Sequence, residues 1–257
     1  MMASRFAWKT DGDGAYAVST HPGLVREHNE DFYGVLPQIG FFMVADGMGG
    51  LSHGDAASRI AVETVLEAVQ SQSDAAVDIE SMGPLLHTAF LQAHDAIIRY
   101  GSEVCPGKTI GTTGVALWVR GGEALACHVG DSRLYRLRDG KLEQITTDHT
   151  LVQEMVDLGR LTPEEAAQSP YAHKLTRALG VPKRFEPTLR VLDVKAGDAF
   201  LLCSDGLYGV VDQEMLAAAF AADLDDLVVL AARLQEEALQ GGGPDNITHI
   251  LVRLGGA

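Results

Sequence analysis

Cysteine is scarce in this sequence: Cys105, Cys127 and Cys203 are the only three among 257 residues. An odd, widely spaced set excludes a disulfide scaffold and lacks the paired spacing of a zinc ribbon, so reduced thiols are expected. Positive charge is also short, with 20 Lys+Arg against 35 Asp+Glu and a formal charge of -15. That balance opposes attraction to nucleic acid or anionic lipid and makes divalent cations the easier guests. No apolar run has the length and purity of a membrane span, and residues 1–20 lack the apolar segment of a secretory signal. No Pro/Ser-rich tract divides the chain. The expectation is a cytoplasmic monomer with neither nucleic-acid nor membrane partner, built as one domain over 1–257 with its core at about 15–254.

What is present reads as a mixture of strands and helices in blocks. Residues 15–20 and 35–45 have strand composition, while 54–70 places Ile60, Ala61, Val65 and Val69 on one helical stripe. A second helix is predicted after Pro84, carrying Leu85, Phe90, Ala93 and Ile97 on its apolar face. Short apolar runs at 112–119, 123–130 and 132–145 predict an antiparallel meander with hairpins at Gly121-Gly122 and Asp139-Gly140. Residues 148–180 are more polar, are broken around Pro163 and Pro170, and read as an excursion from the sheet. Strands near 189–193 and 199–203, helices near 213–220 and 225–239, and a last strand in "NITHILVRL" complete the pattern. Helix pairs between groups of strands predict α+β layers rather than a doubly wound sheet.

Four acids stand where apolar runs give way to turn residues: Asp31 in "REHNEDF", Asp46 in "ADGMGG", Asp205 in "CSDGLYG" and Asp245 in "GGGPDNIT". Each alone is an ordinary turn or cap residue. Gathered by a fold they would repel one another, and such a cluster of hard oxygens is normally stabilised by bound cations. The glycines let backbone carbonyls and water approach an ion, with Gly47 the candidate carbonyl ligand. With no His/Cys cluster in view, this chemistry favours Mg2+ or Mn2+ over zinc. Two such ions could activate water against a phosphoryl group, and Arg26 supplies a guanidinium able to grip two phosphate oxygens.

Ordered motifs from residue 15 to residue 254, including "REHNEDF", "VADGMGG", "GTTG", "VGDSRLYRLRDG", "LTRALG", "LLCSDGLYGVV" and "GGPDNITHILV", make the chain resemble the PP2C (PPM) family of metal-dependent protein Ser/Thr phosphatases, compact bacterial type. The resemblance implies a four-layer α-β-β-α sandwich: two central, mainly antiparallel sheets flanked by helices. It implies hydrolysis of phosphoserine and phosphothreonine in proteins at two core ions, Mn2+ or Mg2+, with a weaker third. Asp46, Asp205 and Asp245 match the family's core metal-binding aspartates, Gly47 its carbonyl ligand and Arg26 its phosphate-contacting arginine. Glu30 and Asp31 match the acidic pair of the first motif, Asp131 the residue that helps hold the third ion beside Asp205. Thr112 and Asn246 are expected to support these ligands from behind. Partners implied are phosphorylated proteins, including Hanks-type Ser/Thr kinases and their substrates, and 148–180 matches a mobile flap. Met48 stands where eukaryotic relatives carry a histidine proposed to protonate the leaving group, so that donor is unidentified.

Other readings compete with this one. Cys127 and Arg133, in "CHVGDSR", have the spacing of a phosphocysteine loop, but Asp131 would lie where phosphate should bind. Ser52 and His53 lack a nucleophile elbow. "GTTG" lacks the lysine of a Walker loop. His149 is expected to be structural or associated with the flap rather than the missing acid. A noncatalytic phosphoprotein-binding regulatory module on the same fold is the alternative from another functional class.

Overall fold

The computed structural model describes residues 4–9, 13–49, 53–71, 78–182 and 185–255. The chain runs β1 (Ser4–Lys9), β2 (Asp13–His21), β3 (Asp31–Leu36), β4 (Phe41–Met48), α1 (Gly54–Gln70), α2 (Ile79–Val104), β5 (Gly111–Thr112), β6 (Gly114–Arg120), β7 (Glu123–Val129), β8 (Arg133–Arg138), β9 (Lys141–Gln144), α3 (Leu151–Asp157), α4 (Pro163–Ala167), β10 (Thr188–Asp193), β11 (Ala199–Cys203), α5 (Asp205–Tyr208), α6 (Gln213–Asp223), α7 (Leu227–Gln240) and β12 (Ile247–Leu254). One sheet has the order β1-β2-β12-β11-β8-β9, the other β10-β7-β6-β4-β3, with β5 pairing with β4 beside that path and its Thr112 also bridging Leu179. Every pairing is antiparallel.

Alternation along the strands builds three apolar layers. Phe42, Val44, Val115, Phe200, Leu202 and Ile250 meet between the sheets. The opposite faces of β4 and β6 carry Phe41, Met43 and Trp118 against α1 and α2, and Leu201, Cys203 and Leu251 lie under α5, α6 and α7. The result is the expected α+β sandwich, helices outside and two sheets within. No helix among the described residues is long and apolar enough to cross a membrane. The three cysteines are buried and unbonded.

Two departures from the sequence reading position the site. The run 35–45 is not one strand: Pro37 opens a single 3-10 turn, Pro37–Ile39, and Gly40 at φ 71° reverses the chain. The resulting hairpin sets Asp31 directly across from Asp46. The meander is likewise not confined to one sheet. Gly121-Gly122 and Asp139-Gly140 do form tight hairpins with positive φ at all four residues, but β7 and β8 belong to different sheets, and the chain crosses over at 130–132. Gly130, at φ 95°, makes that crossing against Thr113, where a Cβ would lie 2.6 Å from its methyl carbon. Asp131 is carried to the end of the cleft between the sheets.

Lesser differences have local causes. Strand β1, outside the expected core, pairs with β2. Helix α2 begins at Ile79 rather than after Pro84, because Asp78 caps it by accepting the Ser81 N–H at 2.9 Å. Pro84 sits in its exposed second turn, where water can serve the carbonyl that the ring leaves without a donor. Short helix α5 directly follows β11 and begins on Asp205.

Candidate metal and phosphate site

At one end of the sandwich the inward side chains turn polar in step. On β4 they run Phe42, Val44, Asp46; on β3, Val35, Tyr33, Asp31; beyond β11, Phe200 and Leu202 are followed by Ser204; on β12, Val252 and Ile250 give way to Thr248. The period of two that buries the core thus also delivers carboxylates and hydroxyls to a single layer. Asp31, 6% exposed, accepts the Ser204 hydroxyl across the sandwich at 2.7 Å. Its other oxygen, Oδ1, is buried without a partner, and so is Asp205 Oδ1. Asp131 joins them from the crossover, 5% exposed, and Asp245 from the turn before β12. Arg26, Asp46, Asp131, Asp205 and Asp245 line a cleft of about 1110 Å³.

Electrostatics in this layer are unfavourable without a counterion. Burial pushes Asp31 up to about 7, opposed by its bonds to Ser204 and Thr248 and assisted by the charges of Asp205 and Asp245. Burial, then Asp205 and Asp148, pushes Asp131 up to about 7. Asp46 lies well above the ordinary carboxylate range, through burial and then Asp31, Asp205, Asp131 and Asp245; Asp205 is raised by burial and then Asp245. Placing two carboxylates directly opposite each other in a sheet is destabilising in itself. Crowded hard oxygens with two buried atoms left unpaired fit divalent cations, which satisfy those atoms and let the carboxylates ionise together.

The surrounding polar groups fix the ligands. Asp46 is held through its backbone: its N–H donates to Thr113 Oγ1 at 2.9 Å, and its carbonyl accepts Thr112 Oγ1 at 2.8 Å. Thr113 in turn meets Ser132 Oγ at 2.6 Å. Asn246 Oδ1 accepts the Glu30 N–H at 2.8 Å, while its amide donates to Pro22 and His28 carbonyls at 2.9 Å, which shapes the loop before β3. Glu30 turns its carboxylate to the first N–H of α1, at Gly54, 3.1 Å away. The threonines of "GTTG" thus support the site as the sequence suggests, whereas Ser132 and Ser204 were not singled out by sequence, nor was His173, whose Nδ1 lies 3.6 Å from Asp205 Oδ2. One ligand atom each from Asp131, His173 and Asp205 fall within 4.8 Å of one another.

Gly47 is required by packing as well as by any carbonyl role. A Cβ there would stand 2.1 Å from the Gly54 carbonyl oxygen and 2.5 Å from that of Glu30. Gly47→Ala is expected to push β4 away from α1, costing about 1–3 kcal/mol or more and lowering the unfolding midpoint by several degrees, at about 2–4 °C per kcal/mol for a chain of this size. Calorimetry without added metal checks this, and an unchanged midpoint contradicts the packing argument.

The sequence profile of protein phosphatase 2C matches residues 25–240. The chain belongs to that family. Serine/threonine protein phosphatase PstP of Mycobacterium tuberculosis (strain H37Rv) is 41% identical over 239 residues, which take in 92% of this chain and 44% of PstP, so the chain spans less than half the length of that relative. Serine/threonine phosphatase stp of Listeria welshimeri is 33% identical over 243 residues, 91% of this chain and 93% of stp. Among solved structures, M. tuberculosis PstP superposes with a TM-score of 0.84 at 38% identity, over 95% of this chain and 99% of that one. The PstP catalytic domain in complex with two manganese ions gives 0.82 at 37% identity, over 95% and 99% of the two chains.

In this member of the phosphatase 2C family the remaining candidates fall away from the cleft. Cys127 is fully buried in β7, and burial drives its thiol well above the ordinary range. Arg133, its supposed partner, is held by Asp148 at 2.7 Å and stacks 3.7 Å over the Tyr208 ring. The phosphocysteine reading is therefore overturned by packing. His149 accepts the Gly130 N–H at 3.2 Å and meets Thr188 at 3.0 Å, stacked on His128; burial first, then His128 and Arg177, depress it to about 3. His53 precedes α1 without capping it, and Ser52 lies outside the described residues. From the polar excursion, His173, Leu175, Thr176 and Arg177 face the cleft.

Proposed function

We propose that the protein hydrolyses phosphoserine and phosphothreonine in proteins at a centre of two divalent cations, Mn2+ or Mg2+, and so opposes Ser/Thr kinases of the Hanks type in the cytoplasm. The observation that carries this reading is the buried carboxylate layer with Asp31 Oδ1 and Asp205 Oδ1 unpartnered, at the floor of a cleft edged by an arginine. Asp46, Asp205, Asp245 and the Gly47 carbonyl would hold the two core ions, and Asp131 with Asp205 and His173 a weaker third. Bound cations supply Lewis acidity and a water of lowered pKa.

The chain's own residues supply the remainder. Asp31, fixed by Ser204, offers its free oxygen to orient water entering the cleft. Arg26 donates from Nη2 to Asp245 Oδ2 at 2.7 Å, and its side chain is 54% exposed. The donors not used on Asp245 are available to a phosphate oxygen, and its planar fork orients the group in a way lysine could not. Thr112, Thr113 and Ser132 keep Asp46 in place through backbone bonds, so the ligand set is ordered before substrate arrives.

A manganese titration with a phosphothreonine peptide and a small aryl phosphate tests the reading. Turnover of both that disappears with chelator and returns with Mn2+ is expected, and Cys127→Ser should retain it. Turnover that survives chelation, or binding of phosphopeptide with no turnover at any metal concentration, would overturn the assignment. Arg26→Ala is expected to lower kcat/KM by about 10- to 100-fold, the size of a lost charge-assisted contact, with KM carrying most of the change. Metal affinity measured by titration calorimetry should stay within a few-fold of wild type, and unchanged kinetics would remove Arg26 from phosphate recognition.

A further inference from the structure

Three glycines in succession, Gly241 to Gly243, lead into Pro244 and Asp245 of the cleft; Gly242 stands at φ 108°, and the atoms around the other two explain their lack of a side chain. A Cβ on Gly241 would lie 2.0 Å from Val210 Cγ1, and one on Gly243 would lie 3.1 Å from Leu24 Cγ. Gly243 also has φ 47° and accepts the Leu24 N–H at 2.8 Å. Gly23, at φ 81°, packs so tightly on this turn that a Cβ would stand 2.2 Å from the Asp245 carbonyl oxygen. The bare backbone therefore lets two aliphatic side chains settle on it and pins the loop that carries Leu24 and Val25. Those two residues remain 65% and 68% exposed, although a rigid turn holds them in place. Val25, Val210 and Pro244 all line the catalytic cleft, with Arg26 following Val25 in the chain.

From this arrangement we infer that Leu24, Val25, Val210 and Pro244 form an apolar shelf that receives an aliphatic or aromatic side chain of the substrate, one or two residues from the phosphoresidue. The inference rests on the phosphatase reading and adds a sequence preference to it. Phosphate bound at Arg26 fixes the register. An extended chain advances about 3.3–3.6 Å per residue, so a neighbouring side chain on that side reaches the shelf without bending the peptide. Exposed aliphatic side chains on a rigid support lose little conformational entropy on contact, and fixed apolar surface beside a polar cleft is the ordinary mark of a recognition subsite. A single shelf can meet only one flank of an extended peptide anchored by its phosphate, so the preference is directional.

The test uses phosphothreonine peptides that carry Leu or Ser at each of the two positions on either side, with the aryl phosphate as reference, all in saturating Mn2+. In the wild-type protein Leu should raise kcat/KM about tenfold over Ser on one side of the phosphothreonine, as expected for partial burial of one aliphatic side chain, and leave the other side unaffected. That ratio should fall below about twofold in Val25→Ser and in the independent variant Val210→Ser. A wild-type ratio near one on both sides overturns the shelf, as does a tenfold ratio that persists in both variants. Hydrolysis of the aryl phosphate alongside either of those results leaves the phosphatase reading standing, whereas failure to hydrolyse it overturns that reading and the shelf with it.

Discussion

Asp46→Asn is expected to abolish phosphatase turnover and, in the same protein, to raise the stability of the metal-free fold. Loss of a carboxylate that holds both cation and geometry should reduce kcat/KM by at least about 10²–10³, the range seen when one preorganised electrostatic group is removed. The stability effect has the opposite sign because Asp46 faces Asp31 directly across the β3–β4 pair and is crowded by Asp205, Asp131 and Asp245. An amide keeps the shape and removes one charge, which relieves about 1–3 kcal/mol of repulsion at the effective dielectric of such sites. Unfolding in chelator at pH 8 should therefore move several degrees upward, while activity in Mn2+ falls to background. A metal-free variant less stable than wild type would show that the carboxylate layer is held by contacts, not strained by charge. This is the usual conflict between a functional site and the fold that houses it.

Mn2+ is expected to stabilise the wild-type protein strongly, and more at pH 8 than at pH 6. At a hundredfold excess over Kd each site contributes about 2.7 kcal/mol; with about 2–4 °C per kcal/mol, two sites imply a rise of roughly 10–20 °C. The pH dependence follows from the metal-free protein. Asp31 and Asp131 have folded values of about 7 against an ordinary 3.8, so between those limits the folded state binds more protons than the unfolded one. Their contribution to stability is fully present below the ordinary value and is lost as pH rises through 7. Cations replace those protons, so the gap between metal-loaded and chelated protein widens with pH. Scanning calorimetry at both pH values, with Mn2+ and with chelator, measures the gap. An equal shift at pH 6 and pH 8 would exclude the raised carboxylates as the cause.

The parts of this site that sequence revealed are those with a local signature. Asp46, Asp205 and Asp245 announce themselves because an apolar strand that ends in Asp-Gly or begins after Pro-Asp is a short-range pattern, and the Gly-Gly and Asp-Gly hairpins are read the same way. Ser204 and Ser132 carry no such mark. They are common hydroxyl residues whose importance arises only when Ser204 meets Asp31, 173 positions away, and Ser132 meets Thr113, 19 positions away. The sheet change at 130–132 was hidden for a related reason: β7 and β8 alternate equally well in one sheet or in two, and only packing against the partner sheet decides. His173 lay within a segment whose polarity said excursion but not where its side chains would reach. Pro37, by contrast, is legible, since a proline inside a supposed strand argues for a break.

Because Asp31 and Asp46 lie on strands of one sheet while Asp205 follows β11 and Asp245 precedes β12 of the other, no half of the sandwich owns a complete ligand set. A partly folded chain with a single sheet formed would offer a cation only part of its coordination. The ion's stabilisation therefore arrives late, after the sheets have closed on each other and the crossover at 130–132 has been made. In kinetic terms, Mn2+ should slow unfolding in proportion to the stability it adds and leave the refolding rate almost unchanged, as for any interaction absent from the folding transition state. The carboxylate layer then acts as a clasp on the finished fold, and a protein that loses its metal in the cell loses lifetime before it loses shape.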